Sequence, residues 1–300
     1  MLQRIVLALA VILPSAPLLI NPPRVTAAPE NDFHFSIVGD RAGAPEPQIY
    51  GRVLREVALL HPAFAITVGD AIPGGQDETL DAEWAAFRKI WARYPFLKVY
   101  HVPGNHDIWS DRSRQRYVLE TGYPTHYSFL HQNALIVVAE TGRGDELPAG
   151  ELDFIEEQLK ANPGAEPKMI FFHKQFWIDK FLSGDSSFRL HQLARKYGVQ
   201  AVVSGHGHRF YTMVRDGVRY LEVGSSGGSM RGKLERGEGF SQGCFYHHVW
   251  GNVKGNQVQF VVKEIDGLFG HGRMFDAADW DENGPRFPAD DPAIAKRPET

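Results

Sequence analysis

Residues able to hold a metal ion or move a proton recur at one kind of place in this chain: Asp40, Asp70, Asn105, His106, Asp107, His173, His206 and His208 each follow an apolar run. The run FHFSIV leads into Gly39-Asp40, FAITV into Gly69-Asp70, LKVYHV toward Gly104-Asn105-His106-Asp107, KMIFF into His173, and VQAVV toward Gly205-His206-Gly207-His208. Carboxylate, imidazole and amide donors without thiolates suit first-row metal ions in an open catalytic site. Two such ions about 3.5–4 Å apart share a carboxylate and a water. That arrangement needs one bridging aspartate, separate histidines for each ion, and a neutral amide to limit negative charge, and the inventory supplies all three. Taken alone, Gly104 to Asp107 also reads as a Gly-Asn turn with a solvated His and Asp beside it. A turn does not explain why ligand-type residues recur after one apolar run after another.

The elements that must position these residues are legible in outline. Near-continuous apolar, β-branched runs predict strands buried on both faces. Between them, Val53, Leu54, Val57 and Leu60 predict a helix over 48–60; Leu80, Trp84, Phe87 and Trp91 one over 79–92; Leu152, Ile155 and Leu159 one over 150–160; Phe188, Leu193 and Tyr197 one over 187–197. The alternation argues an α/β domain, whose ligands sit outside the C-terminal ends of the strands. Past His208 the style changes. Asp216-Gly217 predicts a two-residue hairpin turn, and a second strand pair turns near Gly255-Asn256. GSSGGSM (224–230) is expected to be a plain loop, because no helix signal follows to make it a phosphate cradle.

The first residues combine Arg4, a short apolar core from Ile5 to Leu13, and Val25-Thr26-Ala27 before a cleavage point. They are expected to form a secretory signal over 1–28, which makes the protein exported, to periplasm or medium. After cleavage no stable membrane span is expected; an uncleaved anchor, broken by Pro14 and Pro17, is the alternative. Residues 29–270 are expected to form the working domain, and 271–300, rich in Asp and Pro, a tail. The single cysteine, Cys244, excludes an internal disulfide and is expected to be a small buried residue. A net charge of −4 argues against a nucleic-acid or anionic-membrane binder.

Together the motifs Gly39-Asp40, Gly69-Asp70, Gly104-Asn105-His106-Asp107, His173 and Gly205-His206-Gly207-His208 resemble, in order and spacing, those of the calcineurin-like metallophosphoesterases. The resemblance covers about residues 33–225. It implies a four-layer α/β/β/α sandwich with a dinuclear centre of two divalent or trivalent ions, manganese, iron or zinc. It further implies that Asp70 bridges, that Asn105, His173 and His206 complete the second metal site, and that Asp40 and His208 belong to the first. His106 would protonate the leaving oxygen or stabilise charge there, and Asp107 would hold its ring. A metal-activated water would attack a phosphorylated small molecule. The expected function is therefore a metal-dependent phosphoesterase, with a phosphodiesterase or a degenerate single-metal binding module as alternatives.

One motif departs from the pattern. Where many members have Asp-x-His, this chain has Asp40-Arg41-Ala42, and Pro73 stands where the purple acid phosphatase branch resembles Asp-x-x-Tyr. The first metal is thus expected to bind more weakly than the second, or to be redundant, with His101 and His126 as the nearest candidates to replace the missing ligand. Arg41, at a strand end, is expected to grip a phosphate oxygen as a bidentate guanidinium. His34, His61, His131, His191, His247 and His248 match no motif and are expected to be structural or on the surface.

Overall fold

Neighbouring residues along the apolar runs face different cores. Met169 and Phe171 pack into one hydrophobic cluster while Ile170 and Phe172 pack into another; Ile37 and Val38 divide in the same way. Because successive strand side chains point to opposite faces, a strand apolar at every position must be covered on both sides. The computed structural model describes residues 31–43, 47–229 and 242–265, and the backbone of three short strands beyond. The expected signal segment lies outside the described residues, as does most of the expected tail. Among the described residues no helix is long and apolar enough to cross a membrane.

In chain order the strands used below are β1 (Asp32–Val38), β2 (Phe64–Thr67), β3 (Val99–Tyr100), β4 (Tyr127–His131), β5 (Ala134–Val138), β6 (Lys168–Lys174), β7 (Val199–Gly205), β8 (Phe210–Arg215), β9 (Val218–Val223), β10 (Gln242–Gly243), β11 (Tyr246–Lys254), β12 (Gln257–Ile265) and β13 (Gly272–Phe275). One sheet runs β13-β12-β11-β1-β2-β3 and the other β10-β8-β9-β7-β6-β5-β4. Phe35, Ile66, Ile136, Phe171, Val203 and Val249 meet between the two sheets. Helices α1 (Pro47–Leu59), α2 (Leu80–Trp91) and α3 (Asp111–Thr121) cover the outer face of the first sheet through Val53, Trp84 and Tyr117. Helices α4 (Ala149–Ala161), α5 (Trp177–Leu182) and α6 (Arg189–Lys196) cover the second through Ile155, Trp177 and Leu193. The layers are α/β/β/α, as expected.

The catalytic-type residues come from the parallel parts of the sheets. Strand β1 pairs in parallel with β2 and β2 with β3; β5, β6, β7 and β9 are likewise parallel in succession. Parallel strands put their C-terminal ends on one edge, so loops far apart in sequence gather there. The two late hairpins turn where expected, at Asp216-Gly217 with φ of 50° and 79° and at Gly255 with φ of 60°. Strand β11 then pairs antiparallel with β1, a long-range choice that the hairpin signal does not contain.

Two helices had no counterpart in the apolar spacing. Only Ser113 and Tyr117 of α3 are buried, so its stripe is too thin to register, although Ser110 caps it with Ser113 in a capping box and Gly122 ends it at φ 74°. Helix α5 has six residues, too few to show a period. Leu60 lies past the end of α1 and is exposed rather than part of the stripe.

The inter-sheet core should carry much of the stability. Phe171 is fully buried there, so Phe171→Ala is expected to lower the unfolding free energy by about 3–5 kcal/mol. Urea denaturation followed by circular dichroism measures this, and a loss under about 1 kcal/mol would contradict it.

Candidate metal centre

The motif loops interlock through their glycines. A Cβ added to Gly69 would lie 2.4 Å from His173 Nδ1, one on Gly104 2.2 Å from Asp70 Oδ1, and one on Gly205 2.4 Å from Asp40 Oδ1. Each of these glycines therefore makes room for the ligand-type residue of a different motif. Three of the ligand-type residues sit in the left-handed region, Asp70 at φ 54°, His206 at 76° and His208 at 54°, a conformation that non-glycine residues keep only where the surroundings enforce it.

Two groups of donor atoms result. Asp70, His173 and His206 offer atoms all within 4.8 Å of one another, and so do Asp40, Asp70 and His208. Asp70 is common to both, as expected of a bridging carboxylate. Asn105 joins the first of these groups, its Oδ1 lying 3.1 Å from His173 Nε2. The expected ligands Asp40, Asp70, Asn105, His173, His206 and His208 are thus brought together. The ligand atoms of Asp40, Asp70, His173 and His208 are buried, while Asn105 and His206 are half-exposed at the mouth.

The hydrogen bonds behind the rings fix which nitrogen faces inward. His173 Nδ1 donates to the Val68 carbonyl at 2.7 Å and His208 Nδ1 to the Ser229 carbonyl at 2.6 Å. In the neutral ring each Nε2 then carries a lone pair. His173 Nε2 points at Asp70 Oδ2, 3.2 Å away, and at His206 Nδ1, 3.2 Å away. His208 Nε2 lies 3.5 Å from Asp40 Oδ2. Ring nitrogens and carboxylate oxygens converge on one another, and Asp40 Oδ1 is buried with no hydrogen-bond partner among the described residues. A donor set of this kind fits cations.

Electrostatics point the same way. Burial pushes the Asp40 carboxyl well above the usual carboxylate range. For Asp70, burial works upward too, but the charge and hydrogen bond of His173 hold it below that range. Burial would lower His173, yet the charge of Asp70 and its hydrogen bond raise the imidazole to about 9. Burial and then the His173 charge lower His206 to about 4. Carboxylates packed this tightly draw positive charge to themselves, whether a proton or a metal ion.

Two expectations need correction, those for Asp107 and for His101 and His126. Asp107 does not hold the His106 ring: its Oδ1 accepts from the backbone N–H of Ala71 at 2.9 Å and its Oδ2 from that of Gly104 at 2.8 Å. It ties the second motif loop to the third, and the His106 ring is held through Nδ1 by the Pro73 carbonyl. The reason is geometric, since a residue next to His106 in a tight turn faces the loop interior. Arg41 is anchored at the strand end by the neighbouring loop. Its Nη1 donates to the Ala71 carbonyl at 2.8 Å and the guanidinium lies 5.9 Å and 6.0 Å from the Tyr50 and Phe87 ring centres. Neither His101 nor His126 replaces the ligand missing at Ala42. His101 packs against the rings of Phe87 and Trp91, and His126 pairs with Glu151 and stacks on Phe154.

What closes the group around Asp40 and His208 is the loop expected to be plain. Residues 224–228 are buried. Gly224 accepts from the Asp40 N–H at 2.5 Å, and the Gly228 and Ser226 amides donate to the Asp40 carbonyl at 2.9 Å and 3.1 Å. A Cβ on Gly228 would lie 2.3 Å from the Ala42 carbonyl, so the loop sits directly against the departed position. Two further residues that no sequence motif marks support the histidines. Thr141 Oγ1 accepts from the N–H of His173 and of Lys174, at 3.1 Å and 2.8 Å; Glu222 is fully buried beneath the Gly205–His208 turn. A charge closing an apolar strand was the available signal for Glu222; Thr141 offered none.

Residues 31–210 match the family model of the calcineurin-like phosphoesterases. Among solved structures, the chain is similar to a purple acid phosphatase, PPD1, from yellow lupin (Lupinus luteus) seeds. The two are 14% identical with a TM-score of 0.59, over 83% of this chain and 55% of the lupin one. It is also similar to GAP50 of Plasmodium, described as the anchor in the inner membrane complex, at 13% identity and a TM-score of 0.57, over 82% of this chain and 89% of that one. The chain thus spans about 55% of the lupin phosphatase's length. At these identities the likeness is one of fold. No curated protein matches the chain.

The donor sets differ in size, and this has a measurable consequence. With Asn105 beside it, the group around His173 has one more donor than the group around His208. After loading with manganese and exhaustive dialysis, about one ion per chain is expected to remain by elemental analysis; two equally retained ions would contradict the asymmetry. The reassignment of Asp107 is tested by stability. Asp107→Ala orphans buried backbone donors at about 1–3 kcal/mol each, so its urea midpoint should fall clearly while that of His106→Ala, whose ring is half-exposed, stays near the parent's.

Proposed function

We propose, from the premise that the chain belongs to the calcineurin-like phosphoesterase family, that it is a metal-dependent phosphoesterase acting with water on phosphorylated small molecules. The observation that carries this reading is the convergence of acceptor atoms from Asp40, Asp70, Asn105, His173, His206 and His208 beside a half-exposed His106. Asp70 would be shared between two ions, with His173, His206 and Asn105 on one side and Asp40 and His208 on the other. Manganese, iron or zinc ions there would supply Lewis-acid charge for the ester's oxygens and acidify an attacking water.

The chain's own residues supply the rest. His106 has its N–H on Asp70 Oδ1 at 2.9 Å and its Nδ1 against the Pro73 carbonyl. That leaves Nε2 as the ring nitrogen available to hand a proton to the departing oxygen. The buried walls from Asp40, Asp70 and His208 keep bulk water from that side, so the ester must arrive from the side of Asn105, His106 and His206. Export, resting on the segment 1–28, would put the substrate in the periplasm or medium; nucleic acid is not proposed as a partner.

A second reading, a binding module that keeps one ion and does no catalysis, is favoured by Ala42 and by the likeness to GAP50. Against it stands His106, a proton-transfer residue with no work in a binding module. A phosphodiesterase is the alternative within the first reading.

Release of nitrophenol from mono- and bis-nitrophenyl phosphate with manganese, iron or zinc separates these. Activity is expected, lowered about 10²–10⁴-fold in His106→Ala and lost in Asp70→Ala. The ratio of the two substrates ranks monoester against diester, and inactivity with every metal favours the binding module.

A further inference from the structure

The turn that carries two of the ligand histidines is held by residues that are not ligands. His206 and His208 both take left-handed backbone, at φ 76° and 54°, which is unfavourable for any non-glycine residue. Such a pair persists only when its surroundings leave it no alternative. From above, the turn is gripped by the site itself: the His206 N–H donates to Asp40 Oδ2 at 2.6 Å and His208 Nδ1 to the Ser229 carbonyl at 2.6 Å.

From below it rests on Glu222. This residue is the last but one of β9, which pairs with β7, the strand that delivers the turn, with Ser204 opposite Glu222 in the register. It is fully buried. A Cβ on Gly207 would lie 1.9 Å from its Oε1 and 2.8 Å from Gln175 Nε2, so the carboxylate is in contact with the backbone between the two histidines. Its other oxygen, Oε2, accepts from Arg209 Nε at 3.1 Å, and the Arg209 carbonyl is itself fixed by the Gly224 N–H at 2.8 Å. Glu222 therefore touches the centre of the turn and is clamped by the residue that leaves it. Among the described residues Oε1 meets no side-chain donor, and it lies against the Gly207 backbone.

We propose that Glu222, clamped by Arg209, is the positioning residue of the centre: it sets the His206-Gly207-His208 turn so that one imidazole serves the group around His173 and the other the group around Asp40. This rests on the metallophosphoesterase reading, because only a two-ion centre needs both rings aimed at once. Glu222 is not itself a ligand. Its effect runs through the two histidines, as that of residues behind metal ligands generally does, and removal of such residues weakens metal binding about 10–100-fold.

The test is manganese(II) binding to the full chain, followed by calorimetric titration and by the electron paramagnetic resonance of bound ion. Glu222→Ala is expected to weaken binding about 10–100-fold and to erase the spin-coupled signal of paired ions. Glu222→Gln keeps the shape against Gly207 and is expected to retain the coupled signal. Arg209→Ala removes the clamp without opening the core, and is expected to weaken binding to a smaller extent, which keeps the test decisive if Glu222→Ala fails to fold. Unchanged binding in a folded Glu222→Ala, or in Arg209→Ala where Glu222→Ala does not fold, would overturn the proposal while leaving the metal centre standing. A parent chain that binds no manganese, iron or zinc would instead overturn the metal reading on which it rests.

Discussion

One carboxylate ties the centre together. Asp70 Oδ1 accepts from the His106 N–H at 2.9 Å, Oδ2 faces His173 Nε2 at 3.2 Å, and its backbone carbonyl accepts from the N–H of Arg41 and Ala42 at 3.2 Å and 2.9 Å. Through one residue the first, second, third and fourth motifs are held in register. The position is only reachable because Gly104 has no side chain, since a Cβ there would lie 2.2 Å from Asp70 Oδ1. An aspartate so placed is costly to bury, and its charge is offset by a neighbouring imidazole held at about 9. The constraint is mutual: moving Asp70 outward would break contacts with both sheets' loops.

The four layers make such a concentration of polar groups tolerable. A carboxylate in an apolar interior is disfavoured unless paired or hydrogen-bonded. Here the strand ends supply backbone donors where they are needed: Gly104 and Ala71 for Asp107, and His206 for Asp40. The cores on both faces of each sheet fix those strand ends, and so fix the donors. The left-handed backbone at Asp70, His206 and His208 is then affordable strain, concentrated where ligand-type side chains must point inward rather than along the chain.

The sequence revealed the ligands better than their supports. An Asp, Asn or His after a run of β-branched residues is visible because strand periodicity and residue chemistry are both local properties. The pairing of β11 with β1 is not local, and neither is the burial of residues 224–228 against Asp40, so GSSGGSM read as a plain loop. Asp107 shows a different failure. Its adjacency to His106 suggested a ring partner, whereas turn geometry sends consecutive side chains in different directions, and its oxygens meet backbone amides. Glu222 and Thr141 escaped notice because their contacts with the histidine motifs come from other strands. What sequence order hides is what acts across the sheet.

The alanine at position 42 is best understood from that side. It is fully buried, its amide bonded to Asp70 and its carbonyl pressed by Gly228. Among the described residues no other side chain stands in place of a histidine; main chain closes the gap, and the Ser229 carbonyl accepts from His208. Asp40, Asp70 and His208 are consequently all buried, whereas His206 in the other group is half-exposed. Fewer donors and deeper burial act on different quantities. The number of donors governs how tightly a cation is held, whereas access governs how fast it arrives and leaves. A cation beside Asp40 would therefore be the weaker bound of the two and the one lost at equilibrium, with its burial setting only how fast it leaves.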